Sequence, residues 1–113
     1  MSLDFDLVAI FDAGHADGPV RRSIVDYNIT HNVSRMWRRA GCYEALYESH
    51  GKAALEVVPA LEEAVRRMRA EPDEYRKLDA PNGWGVYEQA LGWLENVLAD
   101  CKAYPLATIE VSR

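Results

Sequence analysis

Two short polar stretches hold the side chains of this chain that are best suited to bind a ligand. They span residues 27–32 (YNITHN) and 81–85 (PNGWG). Each precedes a predicted helix, and the free backbone N–H groups at a helix start favour anionic or carbonyl ligands. The sequence therefore predicts either a small-molecule or peptide pocket here, or simple helix capping with a tight turn. The candidate ligand-binding residues are Tyr27, Asn28, His31, Asn32, Asn82 and Trp84.

A third polar cluster contains Asp12, His15 and Asp17, which are residue types that bind divalent metals. A calcium loop requires oxygen ligands at alternating positions, and Gly14 and Ala16 interrupt that pattern. No second group of ligands accompanies the cluster. We therefore expect a solvated loop, no metal site and no cofactor.

The chain carries no recognisable catalytic motif. It lacks a G-x-S-x-G nucleophile elbow, a P-loop and a G-x-G-x-x-G fingerprint, and Cys42 has no neighbouring base in the sequence. A catalytic pair of carboxylates needs burial, whereas Glu62, Glu63 and the other acidic residues lie on predicted exposed faces and loops. We therefore assign no catalytic residue and favour a protein that is not an enzyme.

Composition limits the class of protein. The chain has 113 residues, 49% of them hydrophobic, which predicts a single domain over residues 1–113. No stretch long enough to span a membrane is free of charge. The formal charge of −5 disfavours general nucleic-acid binding, and the acidic first residues do not form a signal peptide. We expect a cytoplasmic protein with two buried thiols, Cys42 and Cys101.

Three segments have the composition of β-strands: residues 5–11, 23–29 and 107–112. The loop between the first two is rich in Gly, Asp and Pro, so these strands are expected to form a hairpin. Pairing of the first strand with the last would bring the chain ends together. The sequence predicts an α+β fold, with a small antiparallel sheet of two to three strands packed against about four helices.

Apolar residues recur at helical spacing between the second and third strands. Thr30 is a suitable N-cap for the first helix, and Gly41 is a suitable stop. A longer helix is expected to begin near Val58, because Pro59 is tolerated only in a first turn.

The last helix is predicted to begin at the second polar stretch, with Asn82 as its N-cap. Gly83 and Gly85 flank Trp84, and two glycines in a first helical turn are unfavourable. They are tolerated where the backbone passes close to another element or adopts a positive φ. We therefore expect Trp84 to be partly buried and to lie against residues 27–32.

The order of these motifs resembles a group of small bacterial and phage proteins. The matching motifs are YNITHN, AGCY at residues 40–43, PNGWG, and Tyr104-Pro105 before the last strand. The group occurs notably in high-GC actinobacteria and their phages, and the resemblance begins at about residue 24. It implies a cytoplasmic protein in a mobile-element context. It supplies no catalytic residue, because the group has no established activity.

Taken together, these features favour a non-enzymatic interaction protein, in line with a phage or prophage accessory role. Aromatic residues are abundant, with six Tyr, three Trp and two Phe, and aromatic and Arg side chains are favoured at protein interfaces. We expect a protein partner or self-association through an exposed strand edge or an aromatic helical face. The alternative is a small-molecule-binding protein or small enzyme, with a pocket between residues 27–32 and 81–85.

Overall fold

The computed structural model describes residues 1–113, which form a three-stranded antiparallel sheet with helices packed against it. Strand β1 (Ser2–Phe11) lies in the centre, between β2 (Val20–Thr30) and β3 (Thr108–Ser112). The predicted hairpin and the predicted pairing of the first strand with the last are both confirmed. All helices lie between β2 and β3 in the sequence, so the sheet holds both ends of the helical layer.

The helical layer contains five helices and two short 3-10 turns, and none of the helices is both long and apolar enough to cross a membrane. Gly41, with a φ of 84°, ends the first helix as predicted. Pro59 lies in the first turn of the third helix, where no intrahelical hydrogen bond is lost. The helices are α1 (Ser34–Ala40), α2 (Tyr43–Tyr47), α3 (Val58–Ala70), α4 (Pro72–Arg76) and α5 (Tyr87–Ala103), and the 3-10 turns are His31–Val33 and Ala54–Glu56.

The inner face of the sheet is apolar, as the alternation along the strands predicts. Leu3, Phe5 and Leu7 of β1 are buried, and so is Ile109, which lies opposite Leu7 on β3. Strand β2 has one extra residue, Ile24, where its pairing with β1 shifts register. Such a bulge locally increases the twist of the hairpin.

The three strands end at different points. Strand β3 pairs with β1 only over Asp4–Val8, so the hairpin continues beyond Thr108, the first residue of β3, without a third strand. We call this extension, residues 9–11 and 20–22, the arm. The outer edge of β3 is covered, because residues 51–54 bond to its backbone. The outer edge of β2 has no such partner, and we call it the free edge.

The last helix begins later than predicted, at Tyr87 rather than after Asn82. The backbone of Gly83 and Gly85 has φ values of 78° and 100°, which are incompatible with a right-handed helix. The Asp79 carboxylate accepts the Tyr87 backbone N–H at 2.7 Å. Asp79, and not Asn82, therefore satisfies the first N–H of α5.

Three ionisable groups in or beside the core remain protonated to unusually high pH. Burial raises the pKa of the Cys42 thiol to about 12, and burial together with Asp100 raises the pKa of Cys101 to about 12. Burial, followed by the hydrogen bond to Asp100, raises the pKa of Tyr27 to about 12.

We predict that the free energy of unfolding decreases as the pH rises above about 9. Unfolded thiols lose their protons near the ordinary pKa of 9.0, whereas the folded thiols keep them up to about 12, so the folded state binds more protons. The slope approaches about 1.4 kcal/mol per pH unit for each such thiol. Urea unfolding from neutral pH to about pH 11 measures this slope. Cys101→Ala should show a shallower slope, and a stability independent of pH over this range would contradict the prediction.

Candidate functional site

The two polar stretches, residues 27–32 and 81–85, meet in the folded chain. The Asn32 side-chain Nδ2 donates to the Trp84 carbonyl oxygen at 3.0 Å. Gly85 packs on the same segment, since a Cβ atom at this position would lie 2.9 Å from Asn32 Cβ and 3.2 Å from Thr30 Cγ2. Its φ of 100° also lies in a region that favours glycine. Close approach and positive φ therefore both account for this glycine.

The loop that carries Asn82 and Trp84 is shaped by its own hydrogen bonds. Asn82 Oδ1 accepts the Trp84 backbone N–H at 3.0 Å, and the Gly83 N–H donates to the Ala80 carbonyl at 3.0 Å. The expectation that Trp84 is partly buried is wrong, because its side chain is 71% exposed. The backbone of Trp84, rather than its ring, makes the contact with Asn32.

His31, Asn32 and Asn82 line one polar cleft of about 500 Å³. One wall of the cleft consists of His31 and Asn32 together with Ser34 and Arg35 at the start of α1. The other wall consists of Asn82 with its neighbours Ala80 and Pro81. No carboxylate lines the cleft. Arg35 was not among the predicted ligand-binding residues, although it follows His31 and Asn32 closely in the chain.

Tyr27 and Asn28 lie outside this cleft, although we predicted them as part of the same site. The Tyr27 hydroxyl bonds to the Asp100 carboxylate of α5, and its ring meets Trp93 edge-on at 6.0 Å. The Asn28 amide donates to Asp4 Oδ1 at 2.7 Å, across the strand pair. Successive residues of a strand point to opposite faces, so Tyr27 is directed to the helical layer and Asn28 to the outer face.

An aromatic column holds His31 in place. His31 Nδ1 lies 2.7 Å from the Tyr47 hydroxyl, and the Tyr47 ring stacks on Tyr43 with 4.4 Å between centroids. The Arg38 guanidinium lies 3.9 Å above the Tyr43 ring. Tyr43 and Tyr47 are four residues apart, which places them on the same face of a helix and favours stacking. The contact of Tyr47 with His31, in contrast, depends on how α2 packs against the end of β2.

The cluster of Asp12, His15 and Asp17 lies in the exposed loop between β1 and β2. Asp12 Oδ1 accepts the Gly14 N–H at 2.8 Å, and the Asp17 N–H donates to His15 Nδ1 at 3.0 Å. These contacts stabilise the turn itself. Across the whole chain, no three or more His, Cys, Asp or Glu side chains are arranged to hold a metal ion.

The arm and the free edge form a second candidate surface, and the arm lies at the opposite end of the sheet from the cleft. Ile10 and Phe11 on the arm are each 49% exposed. Along the strands between the arm and the cleft, the outer face of the sheet carries Asp4, Asp6 and Asp26. Burial, followed by the charges of Asp26 and Asp4, raises the pKa of Asp6. The second surface therefore combines exposed apolar side chains on the arm, unpaired backbone along β2 and a group of carboxylates on the outer face.

In comparisons with family models, curated proteins and solved structures, this chain matches none. The resemblance to small actinobacterial and phage proteins stays a prediction. A function for the two candidate surfaces therefore has to be argued from their own geometry and chemistry.

We predict that Gly85→Ala lowers the free energy of unfolding by about 2–4 kcal/mol, because a Cβ atom clashes with Asn32 and the backbone is strained. Gly83→Ala is the matched control, since its φ is also positive but open space surrounds it. Gly83→Ala should lower the free energy of unfolding only by the backbone strain, which is about 1–2 kcal/mol. Urea unfolding of both variants compares them, and equal losses would show that the contact with residues 30–33 contributes nothing.

A separate prediction concerns Trp84→Ala, which should change the free energy of unfolding by less than about 1 kcal/mol, because the ring is mostly in solvent. Trp37→Ala should lower the free energy of unfolding by about 3–5 kcal/mol, because Trp37 is fully buried. Thermal or urea unfolding separates the two. A loss at Trp84 as large as that at Trp37 would contradict the exposure of the ring.

Proposed function

We propose that this chain is a non-enzymatic interaction protein that self-associates by extending its sheet across the free edge. The observation that carries the proposal is the length of this edge. Strand β2 has 11 residues, and its outer side has no partner, whereas the outer side of β3 is covered by residues 51–54. An accessory role in a phage or prophage, implied by the resemblance, is part of the proposal.

An unpaired strand edge recruits other strands through its backbone. Its free N–H and C=O groups gain hydrogen-bond partners when a further strand is added. Natural proteins commonly protect such edges with short strands, prolines or covering segments. Here the only interruption within β2 is the bulge at Ile24, and Pro19 lies just before the strand begins.

The charges along β2 favour a second copy of this chain as the partner. Arg21 and Arg22 lie at one end of the strand, and Asp26 lies nearer the other. Two copies related by a two-fold axis pair their β2 strands in antiparallel fashion, and a register centred near Ile24 places the arginine end of each beside Asp26 of the other. Arg22 has no carboxylate partner within the chain, and burial, followed by the charges of Asp26 and Asp4, raises the pKa of Asp6. Arginine side chains of a second copy would offset the contribution of those charges.

Apolar side chains at the same end add area to such an interface. Ile10 and Phe11 of the arm pair with Arg21 and Val20 of β2, so both exposed side chains lie beside the free edge. Burial of exposed apolar residues is the main favourable contribution to association.

We predict that the average mass in sedimentation velocity rises from 12.8 kDa toward that of a dimer as the protein concentration increases. The backbone amides of residues 20–30 should exchange hydrogen more slowly at high concentration than at low concentration. Asp26→Arg should weaken association by about tenfold, because it places like charges beside the partner's arginines.

Glu48→Arg is the matched control for charge, since Glu48 is exposed, forms no ion pair and precedes the residues that cover β3, on the edge of the sheet away from β2. This variant should associate as the parent does. A strict monomer at the highest concentration overturns the proposal. An equal effect of both charge reversals overturns the assignment of the interface to β2.

A further inference from the structure

We infer that the cleft between residues 31–35 and 80–82 binds a small molecule that carries a carboxylate. The inference does not rest on self-association, because the residues that line the cleft lie beyond the last residue of β2, at the end of the sheet away from the arm. The His31 N–H donates to the Met1 carbonyl, just before β1 begins, whereas the arm lies where β1 ends. The argument rests on the charge of the cleft, on its neutral polar groups and on its rigidity.

Arg35 supplies the charge. Most arginines on the helices already have an acidic partner, whereas Arg35 forms neither an ion pair nor a hydrogen bond within the chain. Arg38, on the same helix, is stacked on Tyr43. The chain contains 18 acidic residues, yet none lines this cleft. A planar guanidinium without an internal partner matches the two oxygens of a ligand carboxylate.

The asparagines supply neutral groups beside that charge. Asn32 uses its Nδ2 atom to bond the Trp84 carbonyl, which leaves its Oδ1 atom as an acceptor. Asn82 uses its Oδ1 atom to accept the Trp84 N–H, which leaves its Nδ2 atom as a donor. Ser34, which also lines the cleft, forms no side-chain hydrogen bond. A ligand with an amide or hydroxyl next to its carboxylate therefore fits these groups best.

The walls of the cleft are held in place before any ligand binds. Gly85 presses the loop 81–85 against Thr30 and Asn32, and the column of Tyr47 and Tyr43 fixes His31. A preformed site avoids the cost of ordering a loop on binding. The volume of about 500 Å³ matches the size of small-molecule sites. A single guanidinium on a protein of net charge −5 favours a monoanionic carboxylate over a phosphate dianion.

The test uses N-acetylglycine, which has a carboxylate and an amide, and N-acetylglycinamide, which has the amide alone. Each is titrated into the ¹⁵N-labelled protein at constant ionic strength, and amide chemical shifts are followed by NMR. N-acetylglycine should shift the amides of residues 31–35 and 80–85 in a saturable manner, and N-acetylglycinamide should not. Arg35→Gln should weaken this binding by at least about tenfold, because it removes a charge-assisted hydrogen bond.

Arg39→Gln is the matched control, because it removes the same charge from the same helix, and Arg39 lies outside the cleft, beside Glu71 and Glu74. It should leave binding unchanged, and so should Asp26→Arg, which changes a residue of β2 that does not line the cleft. Tighter binding of inorganic phosphate than of N-acetylglycine overturns the carboxylate assignment. The site itself is overturned by the absence of saturable shifts, or by an undiminished response in Arg35→Gln.

Discussion

The pairing of β1 with a strand on each side is the interaction on which the rest of the structure depends. Strand β3 comes from the end of the chain, so this pairing holds every helix between two fixed points. It also buries Leu3, Phe5 and Leu7 beneath the helical layer. Strand β3 has 5 residues and β1 has 10, so the hairpin of β1 and β2 extends beyond the part that pairs with β3. The arm and the free edge follow directly from that difference in length.

The contact between Gly85 and the end of β2 is a second fixed point, at the opposite end of the sheet. Only a residue without a side chain allows this approach, because Asn32 and Thr30 occupy the space of a Cβ atom. Residues 81–85 are therefore not helical, and α5 begins only at Tyr87. The backbone N–H of Tyr87 donates to the Asp79 carboxylate. The same contact brings Asn82 to the cleft that contains Arg35.

Four of the ten arginines have no acidic partner within the chain. Arg38 and Arg113 lie over tyrosine rings, which leaves Arg22 and Arg35 at opposite ends of the molecule. The helical surface is covered by exposed ion pairs such as Glu63 with Arg66 and Arg67, which contribute little to stability because water screens them. Arg22 near the free edge and Arg35 in the cleft have no acidic partner in the chain. Each is therefore free to bind an external carboxylate, on a second copy in one case and on a small molecule in the other.

The sequence by itself determined the features that depend on neighbouring residues. Alternation along the strands identified the buried faces, and the positions of Gly41 and Pro59 identified a helix end and a helix start. Residue types alone led to the hypothesis that the two polar stretches share a site, and the structure brings His31, Asn32 and Asn82 together but leaves Tyr27 and Asn28 outside. The exposure of Trp84, the role of Asp79 at α5 and the entry of Arg35 into the cleft were decided only by the tertiary structure. Local patterns specify which side of an element is apolar, whereas contacts between distant segments depend on how all the intervening helices pack.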